Sequence, residues 1–188
     1  MSKIIIISPE SHFPNETKLV QEMLELNTDF RFHLRKPNWT LVECERFLKE
    51  ISTSFHSRIS IHQHFELTDP FPEIQTHLPD KKRSERKGIS TSFHTEKDMM
   101  YDWEKFDYFF CSPLFPSISK NGYSTDEKWD INDCSEEIKR KAVALGGMTA
   151  KSISEARKTG FQNFAFLGEI WLSENPIETF KEIVIHAQ

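Results

Sequence analysis

The residues best suited to chemistry fall in two short stretches and a scatter of histidines. Asp107 to Lys120 (DYFFCSPLFPSISK) opens as an apolar, aromatic run, the pattern of a buried strand. It breaks at Ser112-Pro113. It then carries hydroxyls two apart, at Ser117 and Ser119, with Lys120 beside the second. Hydroxyls and an ammonium at a strand's carboxyl end suit a phosphate. On spacing alone, a buried strand followed by a proline-rich turn is the plainer reading. Ala142 to Thr149 (AVALGGMT) is a short apolar strand ending in Gly146-Gly147, ahead of a helical pattern. Paired glycines let backbone N–H groups approach an anion at a helix start; they equally make a tight turn. His62 and His64 are two apart, so in a strand they share one face. An H-x-H at a strand end can bind Zn²⁺, or it can be two polar residues lining a wet cleft. His33, His77 and His94 are further proton-transfer candidates, and none is singled out by its neighbours.

These residues need elements to hold them. Continuous apolar or alternating runs predict eight strands: 3–8, 30–35, 58–64, 74–78, 87–94, 107–112, 143–145 and 163–167. Helical spacing predicts helices over 15–26, 40–51, 96–106, 135–141, 151–159 and 176–186. Thr40 with Glu43 makes a capping box, and Gly160 suits a helix end. Phe65 to Glu73 holds two prolines and little helical period. Strands that mostly alternate with helices build a parallel sheet. Eight of them predict a compact (β/α)₈ TIM barrel, with a short or missing helix after the third and fourth strands. An open doubly wound sheet is the alternative. In a barrel the functional groups sit at the carboxyl ends of the strands.

Composition bounds the rest. A chain of 188 residues predicts one domain, 1–188, with one core. A net charge of −5 and a short basic cluster at 81–87 without interleaved aromatics argue against nucleic-acid binding. Three cysteines without CxxC spacing argue for free thiols and a cytoplasmic location. No export signal or membrane span is read. The 16 phenylalanines are core by default. The expected partners are small phosphate-bearing substrates and, in an oligomer, further copies of the chain.

In combination these motifs resemble the thiamine-phosphate synthase and thiazole tautomerase family, which has a (β/α)₈ fold. The family's sixth strand, D-Y-x-x-x-G-P-x-F-P-T-x-T-K, is matched by Asp107-Tyr108 through Ser112-Pro113-Leu114-Phe115-Pro116-Ser117-Ile118-Ser119-Lys120. Its G-x-S-x-H is matched by Ser92-Phe93-His94, and its A-x-G-G-I/M-T by Ala144 to Thr149. Its Q-x-R-E-K is matched in part by His33-Leu34-Arg35-Lys36-Pro37. The resemblance implies a transferase of thiamine biosynthesis. In that reaction a hydroxymethylpyrimidine diphosphate loses pyrophosphate, and a thiazole phosphate nitrogen captures its exocyclic carbon. By position, Arg35, Ser92 and Lys120 would be the catalytic group holding pyrophosphate. Ser117, Ser119, Gly147 and Gly168 would hold the thiazole phosphate, with His33 and His62 against the substrate.

The departures concern the metal. The family's Asn-Asp pair, whose aspartate binds Mg²⁺, aligns with His62-Gln63, and neither supplies the carboxylate that Mg²⁺ prefers. Gln63 and Asp80 are the metal positions implied by alignment, with Glu66 a substitute. The family's lysine aligns with Pro37, next to Lys36, and the tautomerase histidine with Pro113. A thiazole phosphate tautomerase or a non-catalytic phosphate-binding member is therefore the alternative, with a histidine-lined metallohydrolase third.

Overall fold

The structure, a computed structural model, describes residues 2–27, 29–80, 89–116 and 129–188. Eight strands form a closed parallel barrel: β1 (Ile4–Ile7), β2 (Phe30–Leu34), β3 (Ile59–Ile61), β4 (Gln75–Leu78), β5 (Ser90–Phe93), β6 (Tyr108–Cys111), β7 (Ala142–Ala144) and β8 (Asn163–Phe166). Each pairs with the next, and β8 closes on β1 through Ile4 opposite Phe164. Four isoleucines in a row make β1 because both of its faces are covered. Ile4 and Ile6 pack outward under the helices, while Ile5 and Ile7 point into the barrel with Tyr108, Phe110, Val143 and Ala165.

The outer layer is α1 (Glu16–Leu26), α2 (Leu41–Glu50), α3 (Glu96–Asp102), α4 (Glu136–Lys141), α5 (Ile153–Lys158), α6 (Gly168–Trp171) and α7 (Pro176–Ala187). The α2 capping box is present: Glu43 N–H donates to Thr40 Oγ1, and Thr40 N–H donates to Glu43 Oε2. Helix α7 starts at Asn175, whose side chain accepts from Glu178 N–H, with Pro176 in its first turn. It packs on the outside of the barrel, setting Phe180 edge-on to Phe30 at 5.0 Å.

Several predicted boundaries move, each for a local reason. The third strand ends at Ile61 instead of His64, because His64 takes a left-handed conformation (φ 54°) and starts a 3₁₀ turn at Phe65–Thr68. That turn replaces a full helix after β3, as the prolines implied. The helix expected over 96–106 ends at Asp102 and tightens into a 3₁₀ turn at Trp103–Lys105. Helix α6 was not expected. It is four residues long, too short for a periodic pattern, and is held by Trp171 Nε1–H donating to the Ile7 carbonyl at 2.7 Å.

Candidate functional site

The barrel interior is divided by polarity. From β2 to β5 the inward side chains are Arg31, His33, Ser60, Gln75, His77, Ser90 and Ser92, and from β6 round to β1 they are mainly apolar. Buried polar groups need partners, and here they partner one another. Tyr108 Oη lies 2.7 Å from His33 Nε2 and 3.1 Å from Ser60 Oγ. His33 Nδ1 lies 2.9 Å from His62 Nε2. His77 sets Nδ1 2.9 Å from Ser90 Oγ and Nε2 3.1 Å from Ser92 Oγ. The His62 ring stacks on that of His77 with centroids 4.1 Å apart, and His77 stacks on Phe110 at 4.9 Å.

This enclosure fixes protonation. Burial holds His33 and His62 well below the ordinary imidazole range, with the facing His77 adding to it. Burial, then Arg35, pushes His77 down to about 3. All three rings are therefore neutral at neutral pH. Burial raises the Tyr108 phenol, so it stays a hydroxyl. Burial also raises the thiols, Cys44 to about 11 and Cys111 well above its usual value, so neither is a ready nucleophile.

Above these rings lies the mouth formed by the strand ends. Arg35 follows β2, with its backbone fixed by Ser8: Arg35 N–H donates to Ser8 Oγ at 2.8 Å, and Ser8 Oγ donates to the Arg35 carbonyl at 2.9 Å. Its guanidinium is half-exposed and pairs with Glu10 at 2.6 Å. His62 is half-buried and lines a cleft of about 450 Å³ with Gln63, Glu66, Thr68, Asp69 and Pro79. Across the mouth, Leu114 N–H donates to the Leu145 carbonyl and Phe115 N–H to that of Gly146, lashing the loop after β6 to the loop after β7. Both glycines have positive φ, 98° at Gly146 and 62° at Gly147. A Cβ on Gly146 would lie 2.8 Å from Pro113, and one on Gly147 would strike the Pro116 carbonyl. The glycine pair is thus required by loop-to-loop contact, whatever it binds.

The structure distributes the sequence candidates unevenly. Arg35 and His62 reach the mouth. Ser92 is half-buried against His77, and His33 is fully buried beneath His62. Gly147 lies at the β6–β7 lashing, and Gly168 opens α6. Ser117, Ser119 and Lys120 lie outside the described residues. Lys36 does not stand in for the family's lysine. It is buried, donating to Glu16 at 2.6 Å and to the Ser11 carbonyl at 2.8 Å, with Trp39 4.6 Å away. The strand geometry expected to align His62 and His64 is not formed: His64 lies past the strand end in a left-handed turn, where it lines the same cleft as His62 but gives its Nε2–H to the Trp39 carbonyl at 2.8 Å. The cluster sequence spacing missed is His33, His62 and His77, from three consecutive strand ends. Inward alternation in polar strands was its only signal.

A family profile described as Thiamine monophosphate synthase matches residues 75–170, just over half of the chain. The chain belongs to the thiamine monophosphate synthase family. Among solved structures it is similar to thiamine phosphate pyrophosphorylase from Bacteroides thetaiotaomicron, 28% identical over 98% of this chain and 97% of that one, with a TM-score of 0.81. It shares its fold with thiamine phosphate pyrophosphorylase from Pyrococcus furiosus, at 16% identity, 98% and 95% coverage and a TM-score of 0.73. It also shares the fold with orotidine 5'-monophosphate decarboxylase from Metallosphaera sedula, at 13% identity, 100% and 98% coverage and a TM-score of 0.56. No curated protein matches it.

The residues at the positions expected to hold Mg²⁺ do not fit that ion. Gln63 gives its Nε2–H to the Lys36 carbonyl and also bonds the Cys44 thiol. Asp80 is exposed beside His94, with Oδ2 3.6 Å from His94 Nε2. Glu66 and Asp69 line the neighbouring cleft. Among the described residues, the only group of three or more potential ligands that converges is His33, His62 and His77, all nitrogen donors.

Proposed function

We propose that this member of the thiamine monophosphate synthase family is an enzyme of thiamine assembly. It joins hydroxymethylpyrimidine diphosphate to thiazole phosphate at the carboxyl end of the barrel and releases pyrophosphate. The observation that carries this reading is Arg35, a cation at the mouth whose backbone is locked by Ser8 and whose head pairs with an exposed carboxylate, Glu10. An incoming pyrophosphate, carrying more charge than one carboxylate, would replace Glu10 in a bidentate contact. Leu145 and Leu167, partly buried at the neighbouring strand ends, offer an apolar wall for the rings. Catalysis would then be positioning and charge stabilisation as pyrophosphate departs. The residues do not fit Mg²⁺, so the charge of the departing pyrophosphate falls to the cation at the mouth, Arg35. The test is product formation by the purified full chain from both substrates, with and without Mg²⁺. Thiamine phosphate should form, and Arg35→Gln should abolish it; no product at stoichiometric enzyme would reject the reading.

A second reading rests on the tied-off Gln63 and the neutral imidazole of His62 at the mouth. A neutral imidazole has a lone pair to accept a proton, and a bound phosphate dianion beside it would raise its depressed pKa, which suits proton transfer on a thiazole phosphate. It predicts thiazole phosphate binding and turnover of its tautomer without any use of the pyrimidine diphosphate. Calorimetry showing no thiazole phosphate binding would reject it.

A further inference from the structure

We propose that His33, His62 and His77 form a binding site for a late first-row divalent cation such as Zn²⁺ or Co²⁺, inside the barrel and under its mouth. One nitrogen from each ring lies within 4.8 Å of the others. His33 Nδ1 and His62 Nε2 already face each other at 2.9 Å. Metal–imidazole bonds of about 2.0–2.1 Å in a tetrahedron set ligand nitrogens about 3.3 Å apart. That pair need open only by a few tenths of an ångström, and the stacked His77 ring must tilt inward.

The surroundings supply what such a site requires beyond its ligands. A metal-bound imidazole is oriented by a partner on its other nitrogen. Tyr108 Oη stands 2.7 Å from His33 Nε2, and Ser90 Oγ stands 2.9 Å from His77 Nδ1. These partners leave His33 Nδ1 and His77 Nε2 to face the ion, with the Ser92 hydroxyl rotating away from His77 Nε2. The ion replaces the proton shared between His33 and His62, which moves to His62 Nδ1. No ring has to ionise. Access exists through the cleft of about 450 Å³ that reaches His62. The same cleft leaves a fourth position open toward the mouth, the arrangement of a catalytic rather than a closed structural centre. Imidazoles alone favour Zn²⁺, Co²⁺ or Ni²⁺ over Mg²⁺, so this site is chemically distinct from the expected magnesium position, where Gln63 stands in place of the carboxylate.

The test needs metal alone and no substrate. The full chain, stripped with a chelator, is titrated with Co²⁺ and then Zn²⁺. Visible d–d absorption, equilibrium dialysis and the thermal midpoint are followed together. One equivalent should bind, give tetrahedral Co²⁺ bands and raise the midpoint. His62→Gln and His77→Gln should each lose binding by more than 100-fold, and Tyr108→Phe, which keeps all three rings, should weaken it about 10- to 100-fold. His64→Gln and His94→Gln should bind like the parent. No binding to the folded, stripped protein would overturn the proposal. So would undiminished binding in either triad variant, or binding lost only with His94→Gln.

Discussion

Three neutral imidazoles under the mouth make this fold acid-sensitive in a calculable way. Each ring is neutral when folded but takes up a proton when unfolded below its ordinary pKa of about 6.5. Below that pH the unfolded chain binds more protons, so stability falls as pH falls. The contribution is complete above about pH 6.5 and is lost progressively down to the folded value, about 3 for His77. His33 and His77 are the two rings wholly enclosed in the barrel. Lowering the pH from 6.5 to 5 costs about 2 kcal/mol through His77, and His33 acts in the same direction. That is a large share of the roughly 5–15 kcal/mol available to a domain. His62, half-buried at the mouth, adds less. The assay is urea unfolding of metal-stripped protein at half-unit steps from pH 7 to 5. Carboxylates contribute a background slope, so the decisive comparison is with His77→Gln. Its amide keeps hydrogen bonds to the two serines but takes up no proton. The slope of stability against pH between 5 and 6 should fall by about 1.4 kcal/mol per unit in the variant. Equal slopes in the two proteins would refute a neutral, buried His77.

Other perturbations follow from single contacts. Gly147→Ala places a Cβ against the Pro116 carbonyl at φ 62°; it should cost roughly 2 kcal/mol or more by denaturant midpoint. Lys36→Met leaves Glu16 buried without its cation and should cost about 3–5 kcal/mol, while Lys36→Met with Glu16→Leu should recover most of that. A double mutant as unstable as the single would show that the pair is not the cause. Thr40→Ala removes the α2 capping box and should cost about 1 kcal/mol in thermal unfolding, with no change in ligand binding.

The barrel was legible because each strand carries a short apolar or alternating run and most are followed by a helical period. Buried β1 and capped α2 are the clearest cases. Helix α6 was not legible, since four residues cannot show a period. At the site, Arg35 and the glycine pair could be placed from motif order. The sequence could not say that Gly146 and Gly147 are needed for contact with Pro113 to Pro116, a packing fact between loops about thirty residues apart. Nor could it pair His62 with His33 and His77 instead of His64. That choice depends on His64 entering a left-handed turn and on the strand register that sets His33 beside Ser60. Lys36 looked free beside Pro37 because its partner, Glu16, lies twenty residues back on α1.

The reading of the mouth as a phosphate-handling site is tested most directly by a crystal structure of the full chain soaked with thiamine phosphate and pyrophosphate. Pyrophosphate should lie against Arg35, with Glu10 displaced, and the thiazole phosphate on the lashed loops near Gly147. Ligand bound away from the strand carboxyl ends, or an Arg35–Glu10 pair unchanged with both ligands in place, would contradict it.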